Sequence, residues 1–307
     1  MAISTFDELR DRAVAAGPRS LVLAGATSRS ALAACATAAG AGLARVHLVG
    51  PADEVRARID EDVLDALSDA SIHNVADDET AARVAVGLVA EGAGDVLLKG
   101  ALRTDQLLRA VLDRTAGLRQ GLLSDVLLYE DRFAGACRLV GITDGGINVQ
   151  PSLSELRDIL CNGVSVMQAL GVARPHVALL SATEAVTEAV PSSVTARELA
   201  KAAQRGELGE CEVAGPLALD NALLESAARA KGITTPVAGY ADLMVVPNIE
   251  AGNILGKAVK YFYGSVTAHV VVGARAPVLI PSRVESAEDK LASIALGVLA
   301  CTATVPG

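Results

Sequence analysis

The chain has no tryptophan and few other aromatics, three Phe and four Tyr in 307 residues. Stacking platforms for nucleic-acid bases are therefore scarce. A net charge of -9 also opposes a surface built for polyanions, so no nucleic-acid partner is expected. The five cysteines (Cys35, Cys137, Cys161, Cys211, Cys301) are scattered, odd in number and never in a CxxC pair. That pattern points to neither a zinc site nor a disulfide framework, and predicts a reducing, cytoplasmic compartment. No apolar run reaches the ~20 residues of a membrane span. The opening MAISTFDELRDRAVAAG reads as a mixed-charge helix, without the basic-then-apolar order of a signal peptide. His47, His73, His176 and His269 are isolated from one another in sequence, and three lie in or beside strand-like runs, where structural histidines are common. There is no GxxxxGK[ST], GxSxG, HExxH or strand-linked GxGxxG.

Half of the chain is hydrophobic. That suffices for the core of one large or two medium domains. Short apolar runs such as SLVLA (20–24) and DVLL (95–98) alternate with longer Ala-rich segments of helical period. This βαβα rhythm predicts an α/β fold with a parallel sheet covered on both faces. Ser124–Tyr129 and Arg138–Ile142 read as paired strands. Helices are expected over Thr104–Leu112, Ala222–Lys231, Ile254–Tyr263 and Ala287–Cys301. The rhythm restarts after Asn148–Pro151, which marks a candidate domain boundary.

Five loops at strand ends carry the polar residues. Lys99 and Gly100 close a strand and Thr104 opens a helix; a glycine turn with a helix cap explains them equally well. Thr143-Asp144-Gly145-Gly146 with Asn148 is first a turn signal. Gly215-Pro216-Leu217-Ala218-Leu219-Asp220 forms an apolar loop able to wall a ligand, with Asp220 able to cap the next helix. Pro247 to Asn253 is a seven-residue loop. There Gly252 permits close backbone approach, and the following helix start offers N–H groups to an anion; Asn253 also suits a plain cap. Finally, a strand-like run from Ala276 to Ile280 stops at Pro281 and is followed by Ser282, Arg283 and a helix pattern. A hydroxyl and a fixed cation at the carboxyl end of a strand suit an anionic ligand. Asp289 is a candidate base, but both Ser286–Asp289 and Ser282–Glu285 fit a capping box.

Taken in order, LLKGALRTDQLLRAVLDRTAGLR (97–119), ITDGGINVQPSL (142–153), GPLALDNAL (215–223), DLMVVPNIEAGNILGKAVKYF (242–262) and PSRVESAEDKLASIAL (281–296) resemble the phosphate acetyl/butyryl-transferase family. GPLALDNA and VPNIEAGN look closer to its butyryl branch. The resemblance implies transfer of a short-chain acyl group, butyryl or similar, between coenzyme A and inorganic phosphate, with acetyl transfer as the alternative. It also implies two α/β domains like those of isocitrate and isopropylmalate dehydrogenases, residues 1–149 plus 284–307 and residues 150–283, with the active site in a cleft between them. A homodimer or larger oligomer is expected, as is functional coupling to an acyl kinase.

By the same resemblance, Ser282 and Arg283 match the Ser-Arg pair of the reaction centre. Asp289 matches the acetyl branch's catalytic aspartate, and Glu288 is the acid at the position favoured in the butyryl branch. Val284 replaces the glycine usual after that pair. Gly252 and Asn253 match the loop before a helix, and Lys99 and Thr104 match the first-domain loop. Asp144, Asn148, Gly215, Pro216 and Asp220 complete the expected binding set. Coenzyme A enters as a substrate, and no metal or prosthetic group is expected. Two rivals are a metal- and nicotinamide-dependent hydroxy-acid dehydrogenase and a non-catalytic protein that binds coenzyme A or acyl phosphate. The first would need an aspartate cluster at helix spacing, whereas Asp220 and Asp242 stand apart in the sequence. The intact Ser282-Arg283 pair opposes the second.

Overall fold

A computed structural model describes residues 2–59, 61–115, 118–133, 137–282 and 284–302. Arg283 lies outside the described residues. The chain starts with α1 (Phe6–Ala15), β1 (Arg19–Ala24), α2 (Arg29–Gly40), β2 (Ala44–Gly50), α3 (Ala52–Arg58) and α4 (Glu61–Ala66). It continues with β3 (Ser71–Asn74), α5 (Asp78–Ala90), β4 (Val96–Lys99) and α6 (Thr104–Leu112). β5 (Arg119–Asp131) and β6 (Arg138–Thr143) form the expected pair, which runs antiparallel. Then come α7 (Leu153–Ala169), β7 (His176–Leu180), α8 (Pro191–Gln204), β8 (Glu212–Leu217), α9 (Leu219–Leu223), α10 (Glu225–Ala230) and β9 (Leu243–Val245). α11 (Ile249–Ala258) passes into a π-helical turn over Val259–Tyr263. The chain closes with β10 (Thr267–Ala274), β11 (Val278–Leu279) and α12 (Ala287–Ala300).

The described residues gather into two compact units, here the first (7–121 with 268–302) and the second (2–6 with 122–267). The boundary expected at 149/150 falls inside the second unit. The Pro151 break is a helix entrance: Ser152 accepts from Glu155 N and so caps α7. Residues 268–302, the last helix included, cluster with residues 7–121.

Strand order in the first unit is β3-β2-β1-β4-β11-β10. All neighbours are parallel except β10, which runs antiparallel to β11. The inner strands read VLLK and VL and are wholly buried, as parallel strands covered on both faces require. Helix α2 packs against α12, and α5 against β1 and β4. In the second unit β6, β9, β7 and β8 run parallel in that order, with β5 antiparallel at the β6 side. One apolar cluster there joins Val140, Ile142, Ala178, Met244 and Val246.

Several boundaries differ from the expectation. The helix expected at Ala222–Lys231 is two short ones that meet at Leu224, whose extended backbone ends one and caps the next. α11 starts five residues early because the Asn248 side chain accepts from Ala251 N and caps it there. β8 extends through Leu217, so Gly215 and Pro216 belong to a strand and not to a loop.

Candidate functional site

In the first unit the chain changes direction around β1. From β1 it moves outward through β2 and β3, then returns to β4 on the other side. A crevice at the carboxyl ends of the strands forms at such a switch point. Here three parallel strands, β1, β4 and β11, end together, and a cavity of about 280 Å³ lies there, lined by Ser28, Lys99, Gly100, Ala101, Pro281, Ser282 and Lys290. The β1 and β4 loops fit closely. Gly100 N donates to Ala24 O at 2.7 Å and Ala101 N to Gly25 O at 2.8 Å. A Cβ on Gly100 would strike the Gly25 carbonyl oxygen, so only glycine fits there.

Lys99 is 5% exposed and donates to the carbonyls of Gly100 (3.2 Å) and Leu102 (3.4 Å). Ser28 is the N-cap of α2 and accepts from Ala31 N. Lys290 is 3% exposed and donates to Glu285 O. Burial pushes its amine below the usual lysine range, against the raising effect of the Glu285 and Asp289 charges. Ser282 is exposed, and its carbonyl accepts from Glu285 N at 3.2 Å. Among the described residues the cavity thus presents two nearly dry cations and two hydroxyls, a chemistry that suits a small anion with several oxygens.

Of the two candidate capping boxes, Ser286–Asp289 forms. Asp289 Oδ2 accepts from Ser286 N at 3.0 Å and from Ser286 Oγ at 2.6 Å, and Asp289 N donates to Ser286 Oγ at 3.1 Å. Asp289 has no exposed surface, whereas Glu288 is exposed. Thr104 is the first residue of α6 and is exposed; it does not line the cavity.

Two further loops meet in the second unit. Asp144 is buried, and its Oδ1 accepts from Gly146 N (2.8 Å) and Ile147 N (3.0 Å). Its Oδ2 accepts from Asn148 N (3.1 Å) and Asn148 Nδ2 (2.6 Å). Desolvation, then the Asp125 charge, raise the Asp144 carboxyl above the usual aspartate range, and the loop's hydrogen bonds only partly offset them. A Cβ on Gly145 would lie 2.7 Å from Gly252 C, so the two loops touch backbone to backbone. Asn253 reaches back to Gly145 O at 3.3 Å. With the helix beginning at Ile249, Gly252 and Asn253 lie within it, and the expected seven-residue anion loop is not formed.

The remaining loop, 215–220, also belongs to the second unit. Gly215 packs against Leu179, and Ala218, not Asp220, is the N-cap of α9. Asp220 is exposed, 3.5 Å from Lys231 Nζ.

Sequence reasoning passed over Ser28 and Lys290. The signal for Ser28 was present: Gly25-Ala26-Thr27-Ser28 follows the first strand and opens a helix. Lys290 carried none, since a lysine after a capping box reads as a solvated helix residue.

An α/β unit with an anion-suited cavity at its strand ends is the frame, and comparison with known proteins defines the class. A solved branched-chain phosphotransacylase from Enterococcus faecalis V583 superposes with a TM-score of 0.81 at 30% identity, over 93% of this chain and 100% of that one. A phosphate acetyltransferase of Rhizobium meliloti is 39% identical over 96% of this chain and 93% of its own. A probable phosphate butyryltransferase of Bacillus subtilis (strain 168) is 46% identical over 72% and 74%. The phosphate acetyl/butaryl transferase family profile matches residues 75–298. The chain belongs to that family and is a phosphate acyltransferase.

Proposed function

We propose that the chain moves a short-chain acyl group, butyryl or a similar one, between coenzyme A and inorganic phosphate. The observation that carries the site assignment is the cavity where Lys99, Lys290, Ser28 and Ser282 surround open volume at three strand ends. In one direction the coenzyme A sulfur attacks the acyl carbon of an acyl phosphate. The C–S bond forms, the C–O bond to phosphorus-bound oxygen breaks, and phosphate leaves with the electron pair. The thiol proton goes to a carboxylate. Asp289 or Glu288 takes that role: Ser286 fixes the orientation of the buried Asp289, and Glu288 is exposed. Ser282 donates to the tetrahedral oxygen, and Arg283 stabilises the growing negative charge. Both substrates react directly, so proximity replaces an acyl-enzyme. Of the other expected residues, Asp144, Asn148, Gly252 and Asn253 tie the loops of the second unit together, and Thr104, Gly215, Pro216 and Asp220 stay proposed contacts to the substrates.

The butyryl preference rests on the GPLALDNA and VPNIEAGN segments and on the likeness to the Bacillus subtilis relative. The likeness to the Rhizobium meliloti enzyme favours acetyl transfer as the second reading. Assays that follow thiol release from acetyl-, propionyl-, butyryl- and isobutyryl-coenzyme A with phosphate present decide between them. A butyryl or branched-chain optimum is expected, and an acetyl optimum reverses the assignment. Coenzyme A binding without turnover would instead mark a non-catalytic binding protein. The reading also places the protein in the cytoplasm as a homo-oligomer, alongside an acyl kinase that consumes the acyl phosphate. Among the described residues, no helix is long and apolar enough to cross a membrane.

A further inference from the structure

We infer that Lys290 is a second phosphate-holding cation of the cavity, acting beside Lys99 on the anionic oxygens of the substrate. Three observations carry this, and it rests on the transfer reaction proposed above. First, Lys290 lines the same cavity as Ser282, although it sits one turn into α12. Second, its ammonium is poorly satisfied. Among the described residues its one hydrogen bond is to the Glu285 carbonyl, and it forms no ion pair. A buried ammonium held by one neutral acceptor leaves donor capacity unused. Third, neither neighbouring carboxylate is at ion-pair distance from it. Asp289 is held by Ser286, and Glu285 places Oε1 3.8 Å from His269 Nε2, while its buried Oε2 has no hydrogen-bond partner among the described residues.

The amine is held below its ordinary range because burial outweighs these two charges. A phosphate entering the cavity adds counter-charge to that of Glu285 and Asp289, which burial outweighs. The free cavity is then the costly state and the loaded one the relaxed state. Capacity kept open for a ligand in this way is what separates a binding lysine from a structural one. A structural lysine at this depth would be expected to hold a carboxylate at ion-pair distance.

The test compares the wild type with Lys290→Met and Lys290→Gln. Met keeps the length of the side chain and removes its charge, and Gln keeps a donor for the Glu285 carbonyl. Binding of inorganic phosphate is measured by calorimetry and by the rise in Tm that phosphate produces, and steady-state kinetics are measured with phosphate varied. Both substitutions are expected to weaken phosphate binding about 10- to 100-fold. KM for phosphate rises in proportion, and KM for the acyl thioester stays within about twofold. Met is expected to leave Tm without phosphate unchanged or higher, since replacing a poorly paired buried charge by an apolar group is seldom costly. Wild-type phosphate affinity in both variants overturns the inference. Should the wild type bind phosphate but transfer no acyl group, the proposed reaction fails while the assignment of Lys290 stands or falls on the binding data.

Discussion

Lys290 in the first unit and Asp144 in the second are equally deep, each 3% exposed. Their surroundings differ. Open volume lies beside Lys290, and its hydrogen-bonding capacity is mostly unused. Asp144 has both oxygens taken by four donors of its own loop, and the glycine backbones of Gly145 and Gly252 close the space around it. A buried charge therefore does not mark a binding site by itself. A charge with spare capacity next to space does, whereas a saturated charge is a brace. Asp144 holds a turn as a disulfide or a metal would elsewhere, and Lys290 waits for a partner.

The largest effect is expected at the residue that follows Ser282 in the sequence. Arg283→Ala should lower kcat for acyl transfer by about 10²- to 10³-fold with an unchanged Tm. Near-normal turnover would remove the reaction centre from this end of the first unit. Asp144→Ala should do the opposite: loss of the acceptor strands several donors, costing about 1–3 kcal/mol in chemical denaturation while phosphate affinity stays the same. A stable variant with weakened phosphate binding would make Asp144 a ligand after all. Gly145→Ala should cost a similar ~1–3 kcal/mol, because the new methyl meets the Gly252 backbone. Full stability there would show that the two loops separate readily.

Ser286→Ala should cost about 1 kcal/mol of stability through the lost cap. Asp289→Asn then separates support from chemistry. A turnover loss at constant Tm keeps Asp289 as the proton acceptor, and retained turnover moves that role to Glu288. The smallest effect is expected from Asp125→Asn. With the Asp144 carboxyl raised, the folded state holds more protons than the unfolded chain above the ordinary aspartate value of about 4. Its contribution to stability is therefore present at lower pH and is lost as pH rises through the raised value. Removing the Asp125 charge should narrow that window and move the Asp144 carboxyl titration, followed by carbon-13 NMR, downward. No movement would assign the raised value to desolvation alone.

The sequence carried the layered order well, since periodicity depends on local burial. SLVLA lies within β1, DVLL overlaps β4 with a shift of one residue, and Thr104–Leu112 became α6 without a shift. It failed where a side chain makes a longer-range choice. Asn248, not Asn253, caps α11, and the sequence permits either. GPLAL reads as a loop because of Gly and Pro, yet pairing of β8 with β7 carries its first three residues into the sheet. Lys99 and Ser282 were legible as polar residues at strand ends. Their meeting was not, because β11 joins β4 across most of the chain's length. The same distance hid Lys290.

The first unit opens near residue 7 but is interrupted at 121 and resumes at 268. During synthesis β4 must therefore wait for β11, and Lys99 for Ser282 and Lys290, while all of 122–267 leaves the ribosome. The second unit can fold as one uninterrupted stretch in that interval, apart from the few residues at its N-terminal end. The half of the molecule translated first is thus the last to mature, and its anion cavity comes into being only when the final helix is released. A nascent chain stalled before 268 should display a folded second unit beside an unfinished sheet. Any product shortened from its C-terminal end should lose the cavity before it loses most of its mass.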